Sequence, residues 1–123
     1  MGVTPVELWL NPACSKCRVA VDELEAAGID ITVRRYLDDP PDEATLRDVV
    51  ARLGLEPWDI ARPKEAEEEG VILPKDAEHR GDWYVALAAH PRIIQRPIIT
   101  AADGTTVIGR DAESLAKVIA AES

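Results

Sequence analysis

The chain has 123 residues, 46% apolar and 30% charged, with no Phe and a net charge of −9. Such a composition excludes a disordered chain and suits one domain with an aliphatic core of Leu, Ile, Val and Ala. The acidic excess excludes a sequence-independent nucleic-acid binder, which needs a basic surface to displace counterions.

No apolar run approaches the roughly 20 residues that a membrane span requires. Met1-Gly2-Val3-Thr4-Pro5 lacks the charged and then apolar make-up of a signal peptide. A cytoplasmic protein is expected, with no membrane and no nucleic-acid partner. In that compartment ordinary thiols stay reduced, so a paired cysteine motif is reactive or metal-binding more often than a structural staple.

In chain order, Val6-Glu7-Leu8-Trp9-Leu10 predicts a short strand, broken by Asn11-Pro12. A helix follows over 15–27, with Val21 and Leu24 inward and Gly28 as its stop. Residues 29–37, with Ile31, Thr32, Val33 and Tyr36, predict a second strand. Such a β-α-β unit is normally parallel and right-handed. Asp42 is placed to cap a helix over 43–53, where Leu46, Val49, Val50 and Leu53 share a face before Gly54. Pro57, Pro63 and Pro74 cut 55–80 into short pieces, and the acidic run 65–69 reads as a solvated helix face. A helix over 81–89 ends before His90-Pro91. Ile98-Ile99-Thr100 and Thr105-Thr106-Val107-Ile108 flank Asp103-Gly104, a hairpin signal. Asp111 caps a last helix, with Leu115, Val118 and Ile119 inward. The order predicts a single α/β domain, 1–123, with a helical insert at about 43–90.

Both cysteines lie in Asn11-Pro12-Ala13-Cys14-Ser15-Lys16-Cys17-Arg18. Cys14 falls between a strand end and a helix start. The first helical turn offers unpaired N–H groups and the positive end of the helix dipole, which lower a thiol pKa and cradle an oxyanion. Lys16 and Arg18 add positive charge. A structural zinc site needs about four ligands, and His79 and His90 are distant in sequence, so no metal is expected. His90 reads as a helix-end residue and His79 as solvent-facing. Cys17 shares a side of the first turn with Cys14. It either packs as a small apolar group or resolves an adduct on Cys14 through a disulfide, and the spacing permits both.

Arg62, Arg96 and Arg110 read singly as surface residues or halves of salt bridges, and Pro97 as a proline opening a strand. The segments Asn11–Arg18, "IARPKE", "IIQRPI" and "GTTVIGRD" together resemble the glutaredoxin-coupled arsenate reductases, from Leu8 to about Ile119. The resemblance implies a thioredoxin-like (glutaredoxin-like) mixed sheet. It implies Cys14 as the nucleophile on arsenate, and Arg62, Arg96 and Arg110 as the oxyanion-binding arginines. Pro97 would be a cis-proline beside the cysteine. It further implies no bound cofactor, glutathione or another small thiol as co-substrate, and glutaredoxin or thioredoxin as partner.

The motif departs from that family at Cys17, where most relatives carry another residue. Cys14-Ser15-Lys16-Cys17-Arg18 also resembles the Spx-type regulators, which share the fold, sense oxidation through such a pair and bind a transcription partner. Asn11-Pro12 and the full arginine set favour the reductase. A family member acting on another thiol or small electrophile is a third reading.

Overall fold

In the computed structural model, residues 6–122 are described; Met1–Pro5, read above for a leader, and Ser123 lie outside them. The chain divides into two compact units, one formed by its two ends up to Tyr36 and from Arg96, the other by 37–95. The predicted insert falls within the second.

The first unit is built on a four-stranded mixed sheet of order β2-β1-β3-β4. Strand β1 (Val6–Trp9) pairs parallel with β2 (Ile31–Arg34) and antiparallel with β3 (Ile98–Thr100), which pairs antiparallel with β4 (Thr106–Ile108). The second strand is shorter than its β-rich sequence suggests, because β1 offers only four residues to pair with. Leu8, Ile99 and Val107 stand in register across three strands. With period-2 alternation they share one face. On that face they pack with Val6, with Ala20 and Leu24 of α1 (Ser15–Ala26), and with Leu115 and Val118 of α5 (Ala112–Ala121). Val21 and Ile119, predicted inward, sit at the margin of this core. Fully burying an aliphatic side chain of this kind stabilises by roughly 1.5–3 kcal/mol.

The hairpin turns at Gly104, whose φ of +93° suits glycine. Asp111 caps α5 by accepting the Ser114 N–H at 2.8 Å.

The second unit holds α2 (Glu43–Leu53), α3 (Pro63–Glu68) and α4 (Arg80–Ala89), joined by short 3-10 turns. Asp42 caps α2, accepting the Thr45 N–H at 2.8 Å, and Gly54 ends it at φ +70°. The acidic run is more than a solvated face. Glu65 pairs with Arg62, while Glu68 and Glu69 pair with Arg92 and Glu69 also meets His90 Nδ1 at 2.9 Å. Two of its four carboxylates, Glu68 and Glu69, are thereby drawn onto the 90–92 turn, a pairing that sequence distance concealed. His79 likewise does not stand in solvent alone, since its Nδ1 lies 2.6 Å from the Asp76 carboxylate.

Candidate active site

The segment after β1 is shaped by Asn11. Leu10 donates its N–H to the Arg34 carbonyl at 2.8 Å, the last sheet-like contact. Buried Asn11 then closes a turn on itself. Its Oδ1 accepts the Ala13 N–H and its carbonyl accepts the Cys14 N–H, each at 2.9 Å. This side-chain mimic of a backbone turn delivers Cys14 to the N-cap of α1 in extended conformation, φ −96° and ψ 117°. The Cys14 side chain makes no capping bond, and the first turn of α1 carries no acidic residue. The open N–H groups of that turn are left to act on the sulfur.

Half-buried Cys14 is pulled two ways. Burial raises its pKa, but a hydrogen bond from Arg96, the Cys17 and Lys16 backbone N–H groups and the Cys17 thiol outweigh burial and hold it below the usual thiol value. Cys17 has no solvent exposure. Burial, helped by the neighbouring Cys14 sulfur, pushes its pKa up to about 11, against the Asn11 backbone N–H and the Arg96 charge. One thiol is thus set to ionise and the other to stay protonated three residues away. Both are free thiols in the structure.

Arg96 comes from the segment entering β3. Its peptide bond to the buried Pro97 is cis. The Pro97 carbonyl accepts the Gly109 N–H at 2.8 Å, which ties this loop to the end of β4. Burial works against the Arg96 charge, and the bond to Cys14 and the nearby Tyr36 hydroxyl more than restore it. Tyr36 is fully buried, its ring centroid 6.4 Å from that of Trp9. Its hydroxyl lies alongside the Arg96 and Asn11 side chains yet has no hydrogen-bond partner among the described residues. An unpaired buried hydroxyl costs roughly 1–3 kcal/mol.

Within the first unit, then, Cys14 and Cys17 stand near Arg96, and the cis-bonded Pro97 follows that arginine in the chain. Arg110 is exposed just past β4 and lines, with Lys16, a cavity of about 430 Å³ between α1 and α5. Arg62 belongs to the second unit. It is the N-cap of α3, its N–H donates to the Ile93 carbonyl at 2.6 Å, and its guanidinium meets Glu65 at 3.2 Å. Among the described residues no group of three or more His, Cys, Asp or Glu side chains is placed to hold a metal. No helix among them is long and apolar enough to cross a membrane. In the sequence Tyr36 reads as one more β-rich residue; its complete burial beside Trp9 is visible only in the fold.

The ArsC family model matches residues 9–118. The chain is 57% identical, over 89% of its length and 95% of the relative's, to an uncharacterized protein in the glnII region of Streptomyces viridochromogenes. It is 34% identical to an arsenate reductase of Neisseria meningitidis serogroup A, over 93% of this chain and 97% of that one. Its structure is similar to that of an arsenate reductase from Vibrio cholerae, with a TM-score of 0.83 and 30% identity over 95% of this chain and 99% of that one. A cysteine at a helix N-terminus, a sheet of order β2-β1-β3-β4 and a match spanning nearly the whole length lead to one conclusion: the chain belongs to the ArsC family and has its thioredoxin-like fold.

Proposed function

We propose that the protein reduces arsenate to arsenite with Cys14 as nucleophile. The observation that carries this is the Cys14 sulfur at the α1 N-terminus, hydrogen-bonded by Arg96. The Cys14 thiolate attacks As(V); an S–As bond forms and an As–O bond breaks, the oxygen leaving as hydroxide or water. A small thiol such as glutathione then attacks the Cys14 sulfur. An S–S bond forms, the S–As electron pair passes to arsenic, and As(III) departs as arsenite. Glutaredoxin or thioredoxin reduces the mixed disulfide. Alternatively Cys17 makes the second attack and closes an internal disulfide with Cys14.

Arg96 binds the oxyanion through charge-assisted, forked hydrogen bonds, with Arg62 and Arg110 as further binding arginines. Backbone N–H groups of Ser15 to Cys17 stabilise charge on oxygen as the bond breaks. Relatives named arsenate reductases at 34% and 30% identity support this reading.

The test is arsenate-dependent thiol oxidation with glutathione and glutaredoxin, repeated with thioredoxin. Cys14→Ser should abolish turnover, and unchanged turnover in that variant sinks the assignment. Cys17→Ala should retain much of the activity when a small thiol is supplied; complete loss there makes Cys17 the required resolving thiol.

The hydrogen-bonded pair of sulfurs also suits a redox switch of the Spx type. A transcription partner captured by the oxidised but not the reduced protein, with no arsenate turnover, would favour that reading.

A further inference from the structure

Among the described residues the most exposed large apolar side chain is Ile72, at 80%. It belongs to Val71-Ile72-Leu73, a stretch without regular structure between α3 and α4, wholly within the second unit. Two hollows of about 370 Å³ each share these three residues, so the stretch is the wall between them. Trp58, Pro63, Ala66 and Trp83 line the first hollow, and Glu67 and Lys75 stand with them. Ala86, Ala89 and the half-exposed Val85 line the second. The wall is fixed at its ends. The Val71 N–H donates to the Ala66 carbonyl at 2.8 Å, and the Trp83 indole N–H donates to the Pro74 carbonyl at 2.9 Å. Ile72 and Leu73 form no backbone hydrogen bond among the described residues.

We propose that this wall is a self-association site that seats a second copy of the chain about a two-fold axis. Ile72 of each copy enters the hollow that Trp58 and Trp83 line in the other, and Glu67 of each copy faces the partner's Lys75. An exposed apolar wall beside an apolar hollow marks a contact surface. Its shape is its own complement, a projecting side chain next to a recess. Its open N–H and C=O groups add a template for pairing with another extended chain. Charge selects the occupant. The first hollow carries one carboxylate and one ammonium, both exposed and neither in an ion pair among the described residues. About a two-fold axis, residue i meets j and j meets i. Glu67 and Lys75 therefore supply two ion pairs to a symmetric dimer. A uniformly basic partner would set like charge against Lys75, and a uniformly acidic one against Glu67. The net charge of −9 opposes association at long range, so the dimer is a weak one. None of this depends on the chemistry at Cys14.

The test is sedimentation equilibrium of the full chain, loaded from micromolar to millimolar, in about 0.15 M salt. The wild type should show a concentration-dependent dimer. Ile72→Asp should raise the dissociation constant about tenfold or more, because it removes the apolar anchor and sets a carboxylate against the hollow. Because Ile72 is exposed, the melting temperature of the dilute variant should stay level. Glu67→Lys sets lysine opposite lysine twice and should raise the constant about threefold or more, although it brings the net charge closer to zero. Lys75→Glu should do the same with carboxylates. Combining Glu67→Lys with Lys75→Glu reverses both pairs and should return the constant to within about twofold of the wild type.

A monomer throughout that concentration range overturns the proposal, whatever other partner the surface takes. So does a dimer untouched by Ile72→Asp, which would be built on another face. A double variant as weak as the single ones also overturns it, since residues 67 and 75 would then not face each other.

Discussion

Cys14 and Cys17 occupy one helical turn, and their surroundings drive them apart. Cys14 is reached by Arg96 and by open helix N–H groups, whereas Cys17 is sealed in the core. Iodoacetamide at neutral pH should therefore label one site, Cys14, by mass spectrometry, with Cys17 labelled after denaturation. Burial of Cys17 as a neutral thiol has a consequence for stability. Below the ordinary thiol value both folded and unfolded chains keep that proton. As pH rises the unfolded chain releases it first, while the folded chain holds it to about 11. Folding should weaken across that alkaline window, and Cys17→Ala should flatten the loss in urea titrations at about pH 8 and about pH 10. Arg96→Ala removes the charged donor at the sulfur. Lost charged hydrogen bonds cost roughly 1.5–3 kcal/mol, so KM for arsenate should rise about ten- to a hundredfold. Arg96→Lys should restore part of the loss, because a point charge cannot fork. A KM unchanged in Arg96→Ala would place oxyanion binding elsewhere.

The elements that carry the site are short, and what aligns them is close packing rather than length. The loop from β4 into α5 shows this best. Gly109 sends its N–H to the Pro97 carbonyl, and a methyl group added at Gly109 would collide with Ile99 Cδ1 and crowd Leu115 Cδ2 at 3.3 Å. Ile99 is fully buried at the centre of the sheet, so its side chain must repack to make way. Overpacking of this kind costs roughly 1–3 kcal/mol, so Gly109→Ala should lower the denaturant midpoint by that amount and disturb the Pro97 loop as well. A wild-type midpoint would show that the β4–α5 loop can shift. Leu24 tests the opposite change. It is fully buried on α1, and Leu24→Ala should cost about 2–5 kcal/mol, measured by the same titration. In the second unit the helices are held by partners far apart in sequence: Arg80 meets Glu56 at 2.8 Å, the Trp83 indole N–H donates to the Pro74 carbonyl at 2.9 Å, and Arg47 stacks 4.3 Å from the Tyr84 ring centroid.

For the molecule as a whole the net charge of −9 opposes an anionic substrate at long range, while the cationic groups act only nearby. Salt shortens the reach of the unfavourable field first, since the Debye length falls from about 30 Å at 0.01 M to about 8 Å at 0.15 M. Over that range kcat/KM for arsenate should rise, and a steep fall would mean that the local arginines govern capture. Much of the architecture is legible along the chain because its signals are local. Asn11-Pro12 before Cys14, Asp42 and Asp111 as caps, Gly54 as a stop and Asp103-Gly104 in the hairpin each act through the backbone within a few residues. Alternating and helical apolar spacing places Leu8, Ile99, Leu24 and Val118 in the core for the same reason. The exposure of Cys14 against the sealing of Cys17 is of another kind, as is the approach of Arg96 to the sulfur from 82 residues downstream. The sequence by itself determined most of the elements, their order and the place of Cys14 at a helix start, because these depend on near neighbours. The burial of Cys17 that raises its pKa, and the nearness of Arg96 that helps lower that of Cys14, were decided only by the tertiary structure, because desolvation and Coulomb attraction depend on distances through space.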